Sequence, residues 1–212
     1  MIKGVITGDI VDSTLIPIEC KPTVIEVLDA VIADFSTSVI VNYEMFRGDS
    51  FQVVVDNKDY ALSVAIAIRA ALRANTPKGQ EPWDARIAIG IGEVSFQSSS
   101  IVTSDGEAFR LSGREFDNLG KRRLSIVTPW EDVNEELKLS TSFADDIISK
   151  WTVKQAEVIY ARIFTNVTQK ELAEKLNMSI QNISKHLNLA KSNLINSFIE
   201  RFKELMNKKQ SK

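Results

Sequence analysis

The sequence predicts a mixed α/β fold of the α+β kind over residues 1–129, followed by an all-α helix-turn-helix region over residues 151–206. Three observations carry this. Strand-length apolar runs alternate with helical periodicities up to about residue 129. Beyond residue 150 the apolar spacing is helical throughout. The charge divides at the same place: residues 150–212 hold 12 Lys and Arg against 5 Asp and Glu, and residues 1–149 hold 14 against 23. A basic segment suits a polyanionic partner. Lys208, Lys209 and Lys212 at the end account for only 3 of the 12 positive charges, so the asymmetry survives their removal.

The elements run in order along the chain. Gly4–Thr7 is a short buried strand ending at Gly8-Asp9, and Thr23–Phe35 has helical spacing. Val39–Phe46 and Ser50–Val55 are strands joined by an Arg47-Gly48-Asp49 hairpin turn. Asp59–Ala74 is an Ala-rich helix, Thr76–Pro82 a loop and Ala85–Gly92 an apolar strand. A loop at Ser98-Ser99-Ser100 precedes a helix over Gly106–Leu119 and a strand over Leu124–Thr128. This β-α-β-β-α-β-α-β order predicts a ferredoxin-like or palm sheet with helices on one face. Glu131–Leu139 and Phe143–Ile148 form a helical connector spanning residues 130–150, and residues 207–212 are a disordered basic tail.

In the last third, Ala156, Ile159, Tyr160 and Ile163 mark a helix, and Thr165-Asn166-Val167 interrupts it. Thr168-Gln169-Lys170-Glu171 is a capping box that starts a short helix with Leu172, Ala173 and Leu176 inside. Asn177-Met178-Ser179 is a turn, in which Asn tolerates a left-handed backbone and Ser179 caps the next helix. Ile180, Ile183, Leu187, Ala190 and Leu194 then line one face of that longer helix, which reaches past Phe202. Ile195, Phe198, Ile199, Phe202 and Leu205 serve as core or as a dimer seam. Two helices around a tight turn, with a small Ala between them, form the layout that places a second helix in the DNA major groove. The residues expected to meet DNA are Thr168, Gln169, Ser179, Gln181, Asn182, Ser184, Lys185, His186 and Lys191, since such side chains bond phosphates or base edges. The segment resembles helix-turn-helix regions of the sigma-region-4 and response-regulator type.

Two acidic residues stand out in the first part. Asp9 follows a buried strand and Asp49 sits at a hairpin tip. If those strands are neighbours, both carboxylates share one edge, where with triphosphate oxygens they offer magnesium an oxygen site. Each Asp alone suits an ordinary turn. Arg47, Arg110 and Arg114 are the basic groups that would balance the carboxylates or hold phosphates.

Asp9-Ile10, Gly48-Asp49, Arg86-Ile87-Ala88-Ile89-Gly90-Ile91-Gly92 and the helix from Gly106 to Arg114 together resemble the class III nucleotidyl cyclase catalytic domain over residues 1–128. The resemblance implies that Asp9 and Asp49 hold Mg2+ or Mn2+ with a nucleotide, and that Arg114 steadies the transition state. Arg110 stands where those enzymes have Asn, and Val11-Asp12-Ser13-Thr14 replaces their phosphate-binding Phe-Thr. The same motifs are similar to those of the SatD family of small bacterial proteins.

Other classes are excluded or narrowed. Cys20 is alone, so no intrachain disulfide forms. His186 is the one histidine, which argues against a Ser-His hydrolase using Ser13 or Ser112. No run approaches the roughly 20 apolar residues of a membrane span, and the start is too polar for a signal peptide, so a cytoplasmic protein with no membrane partner is expected. The expected function is a DNA-binding transcription regulator acting on double-stranded DNA as a homodimer, its first domain sensing a nucleotide or metal or serving to dimerise. The alternative is a metal-dependent nucleotide enzyme with an accessory helix-turn-helix; a scaffold with neither activity is the third reading.

Overall fold

A computed structural model describes residues 1–46, 48–96, 101, 104–163 and 167–209. The central strand is β1 (Ile2–Ile10), flanked antiparallel by β3 (Ser50–Val55) and β4 (Ala85–Phe96). The strand β2 (Val41–Phe46) closes the hairpin with β3. Two helices complete the β-α-β-β-α-β unit: α1 (Lys21–Ser36) and α2 (Ala61–Ala74). The resulting order, β2-β3-β1-β4, is that of a ferredoxin-like sheet. A two-residue strand β5 (Asp105–Gly106) and β6 (Leu124–Val127), parallel to β4, extend the far edge.

Strand alternation assigns the two faces. Ile6, Ile10, Phe51, Val53, Ile87 and Ile89 are buried against the helices of one face. Val5 and Val54 point the other way, against Ala108 of α3 (Glu107–Asp117). The sheet therefore carries helices on both faces, not one as the element order suggested. Glycine decides this: a Cβ on Gly90 would lie 2.3 Å from the Ala108 carbonyl oxygen and 2.5 Å from the Ser112 nitrogen, so only Gly lets α3 approach the strand. On the first face Gly4 plays the same part under Ala61.

Every residue of α2 from Ala61 to Arg73 is buried. Its second side packs against the later helices rather than water. Those are α4 (Glu131–Ser149), α5 (Val153–Ile163), α6 (Gln169–Lys175), α7 (Ile180–Leu189) and α8 (Ser192–Lys208). One apolar core runs from the sheet through α2 into Val133, Ile148, Trp151, Ile159, Leu172, Ile183 and Phe202. The connector is a single 19-residue helix rather than two stretches. Its Ser140 and Ser142 hydroxyls donate back to the Leu137 and Lys138 carbonyls, so the polar step satisfies its hydroxyls within the helix.

Two further expectations are corrected. The long last helix is two helices, because Lys191 takes a left-handed backbone (φ 57°) between α7 and α8. Ile180 and Leu194 lie 47% and 60% exposed instead of lining the core. The stripe Ile195, Phe198, Ile199, Phe202 and Leu205 is buried within this one chain, so it is core and not a dimer seam. Beyond residue 207, α8 continues to Lys208, and Lys209 donates to Asp132 at 2.7 and 2.9 Å; residues 210–212 of the expected tail lie outside the described residues. Among the described residues no helix is long and apolar enough to cross a membrane.

Candidate functional site

The register pairs Asp9 with Ser50 on one side and with Arg86 on the other. Asp49 sits one residue before Ser50, and its carbonyl accepts from the Ile10 amide at 3.0 Å. The two carboxylates therefore share one end of the sheet, with Asp9 on the face that α3 partly covers. Arg86 lies between them in charge. It donates from Nε to Asp9 at 3.0 Å and from Nη2 to the other Asp9 oxygen. The Asp9 hydrogen bond, then the Asp9 and Asp49 charges, hold the Arg86 guanidinium above its ordinary pKa against partial burial. The guanidinium also stands over the Phe116 ring, 5.3 Å from its centroid. Asp49 accepts from the Ser13 hydroxyl at 2.6 Å.

The balancing cation at this edge is thus Arg86, not the arginines expected for it. Arg110 pairs with exposed Asp105 at 2.8 Å, Arg114 is exposed on α3, and Arg47 lies outside the described residues. The pattern Ala85-Arg86-Ile87 held the signal: alternation turns residue 86 away from the apolar face and onto the level of Asp9. Arg86 engages both Asp9 oxygens, and no group of three or more His, Cys, Asp or Glu side chains among the described residues could hold a metal ion. As arranged, Asp9 is taken up by Arg86, so a divalent cation on Asp9 and Asp49 would have to displace that guanidinium and draw its remaining oxygen ligands from phosphate or water. Deeper on this face Gln52 donates to Thr7 at 3.2 Å, and Thr7 meets the buried Ser112 hydroxyl at 2.9 Å. Ser112 is therefore a packing residue on the sheet-facing side of α3.

The second site is the α6–α7 surface. Its turn forms as its residues dictate. Thr168 Oγ1 accepts from the Glu171 amide at 3.3 Å, while the Glu171 carboxylate accepts from the Thr168 amide at 2.7 Å. Asn177 is left-handed (φ 50°), the Met178 amide donates to Ala173 at 2.9 Å, and Ser179 caps α7 through the Asn182 amide at 3.2 Å. Thr168, Gln169, Ser179, Gln181, Asn182, Lys185 and Lys191 are exposed, and Ser184 is half-buried. His186 is half-buried too, and its Nδ1 is enclosed without a hydrogen-bond partner, so the ring faces the helix packing with that edge. Lys154, Arg201, Lys203 and Lys209 are ion-paired, whereas Lys170, Lys175, Lys185 and Lys191 make no ion pair among the described residues. On α6, Lys170 and Lys175 are matched in number by Glu171 and Glu174, so the excess positive charge is that of Lys185 on α7 and Lys191 at the corner after it.

A third constellation was not anticipated. Arg69 is fully buried and donates to both Asp84 oxygens at 2.8 and 2.9 Å, to Asp145 at 2.7 Å and to Ser149 at 2.8 Å. Arg73 donates to Asp84 at 2.9 Å and to the carbonyls of Ser149 and Trp151 at 2.8 and 3.0 Å. Arg123 reaches Asp84 at 3.0 Å. Burial alone would push the Asp84 carboxyl up, but Arg69 and Arg73 hold it below the ordinary carboxylate range. Trp151 continues the chain, its Nε1 donating to Ala190 at the α7–α8 corner at 2.9 Å. The available signal was two arginines four residues apart in an otherwise apolar helix.

A mixed α/β sheet with a carboxylate-bearing edge, sharing one core with the helices that follow it, defines the class of fold. The chain belongs to the SatD family, whose model matches residues 4–205. It is similar to solved structures of a bacterial light-regulated adenylyl cyclase, at 13% identity and TM-scores of 0.41 and 0.42; the matches cover 59% and 60% of this chain, and 74% and 43% of theirs. It is also similar to the active GGEEF domain of a diguanylate cyclase from Vibrio cholerae, at 17% identity and TM-score 0.41, over 62% of this chain and 85% of that one. No curated protein matches the sequence.

Proposed function

We propose that this protein is a DNA-binding regulator that reads duplex DNA with α7. One observation supports this best: α7 stands behind a capped tight turn with Gln181, Asn182 and Lys185 exposed, and neither Lys185 nor the following Lys191 makes an ion pair among the described residues. Amide side chains bond adenine edges, and lysines replace the counterions of phosphates. One recognition helix covers a half-site, so the working form is a homodimer on a two-fold site. The experiment is binding to a random-sequence duplex pool across a salt series. Affinity falls steeply with salt, and Lys185→Ala lowers the slope of log K against log salt by about one. Salt-insensitive or undetectable binding at low salt sinks this reading.

A second reading is favoured by the meeting of Asp9 and Asp49 at one sheet edge. It is a metal-dependent nucleotide-binding or nucleotide-cyclising protein, in which Arg86 leaves Asp9 when a metal nucleotide arrives. Incubation with manganese and each nucleoside triphosphate tests it. Product formation that Asp49→Ala abolishes supports it; no product and no binding of any triphosphate removes it.

A further inference from the structure

A cleft of about 480 Å³ lies between α1 and α5, and no guanidinium lines it. A larger one, of about 620 Å³, lies between the β1–α1 loop, the segment 80–83 and the α4–α5 corner. Its floor is the charge cluster of Arg73, Arg123 and Ser149; its walls are Leu15, Ile16, Pro17, Pro82 and Trp83.

The cluster is short of negative charge. Three guanidiniums, Arg69, Arg73 and Arg123, share two carboxylates, Asp84 and Asp145. Arg69 and Arg73 are 0% and 4% exposed and cannot discharge into water. Arg123 spends Nη1 on Asp84, and no bond from its Nε or Nη2 occurs among the described residues; its side chain is 34% exposed. Burial, then the charges of Arg69 and Arg123, press the Arg73 guanidinium below its ordinary pKa despite Asp84. Asp12 and Glu81 also line the cleft, and both are exposed to water, unlike the buried Arg73. A planar guanidinium with two open donors is matched by an oxyanion. The apolar walls match an uncharged body attached to it.

We propose that this cleft is a binding site for a small phosphate- or carboxylate-bearing molecule with a flat apolar body, its anionic head on the open donors of Arg123. The site is separate from the Asp9–Asp49 edge and does not depend on DNA binding. Its position matters: Arg73 also holds the Ser149 and Trp151 carbonyls, so an occupant touches the group that joins sheet and helices.

The test is thermal unfolding of the full chain with inorganic phosphate, AMP and benzoate as probes. AMP or benzoate raises the unfolding temperature more than phosphate does, because the body adds contact. A response to AMP without benzoate assigns the head as phosphate; the reverse assigns carboxylate. Gln80→Glu, which keeps an acceptor for Trp83 Nε1 while placing a negative charge in the cleft, abolishes the shift without lowering the unprobed unfolding temperature. Arg123→Gln does the same if it folds, and Asp9→Asn leaves the shift intact. No shift with any probe, or a shift that survives Gln80→Glu, overturns the proposal. A shift lost in Asp9→Asn moves the ligand to the sheet edge and also overturns it.

Discussion

Asp84 with Arg69 and Asp9 with Arg86 are the same chemical pair in two settings. The first pair is 0% exposed on both sides; in the second, Arg86 is 39% and Asp9 18% exposed. Inside the protein each charge has been stripped of water and must keep its partners, so the pair is committed to structure. At the sheet edge water can replace either partner, so the pair is exchangeable and another cation or anion can compete for it. Function is therefore expected at the edge and around the open side of the buried cluster, not within its closed side.

The comparison can be broken most forcefully at Asp84. Asp84→Asn leaves three arginines facing one carboxylate, and should cost about 3–5 kcal/mol or prevent folding, read by urea unfolding. An unchanged midpoint would show that the cluster is not committed. Acid sharpens the same point. Asp84 has its folded pKa depressed, so its contribution is fully present above the unfolded carboxylate value of about 4 and is lost as pH falls toward the lower folded value. Stability of the native protein should thus drop below about pH 4, and a variant carrying Asn at that position, where it folds, should show a shallower drop. Next in size is Trp151→Phe, which removes the bond to Ala190 and should cost about 1 kcal/mol, seen as earlier melting of the helical region in hydrogen exchange. Arg86→Gln should change stability by less than about 1 kcal/mol because its pair is partly exposed. It should instead raise manganese affinity by freeing Asp9, and equal manganese binding in both proteins would count against an exchangeable edge.

How much was legible beforehand depended on the range of the interaction. The capping box at Thr168, the left-handed Asn177 and the Ser179 cap are bonds within three residues, and sequence spacing states them outright. The strand order of the first four strands was also legible, since their lengths and intervening helices allow few alternatives. Arg69, Arg73, Asp84, Arg123, Asp145 and Ser149 span 80 residues, and no periodicity connects them. The side of the sheet taken by α3 turned on Gly90 and Gly92, whose meaning as contact points needs the helix to be in place. The break at Lys191 escaped because Lys is not a residue that advertises a left-handed backbone.

By itself the sequence determined the kinds of elements, their order, the capped turn between α6 and α7 and the charge division, because each is set by neighbours along the chain. Only the tertiary structure decided that Arg86 is the partner of Asp9, that the helices share one core with the sheet, and that three arginines meet two carboxylates beside an open cleft. Those outcomes depend on register, on close approach at glycine and on the cost of burying charge, and these exist only once distant segments have been brought together.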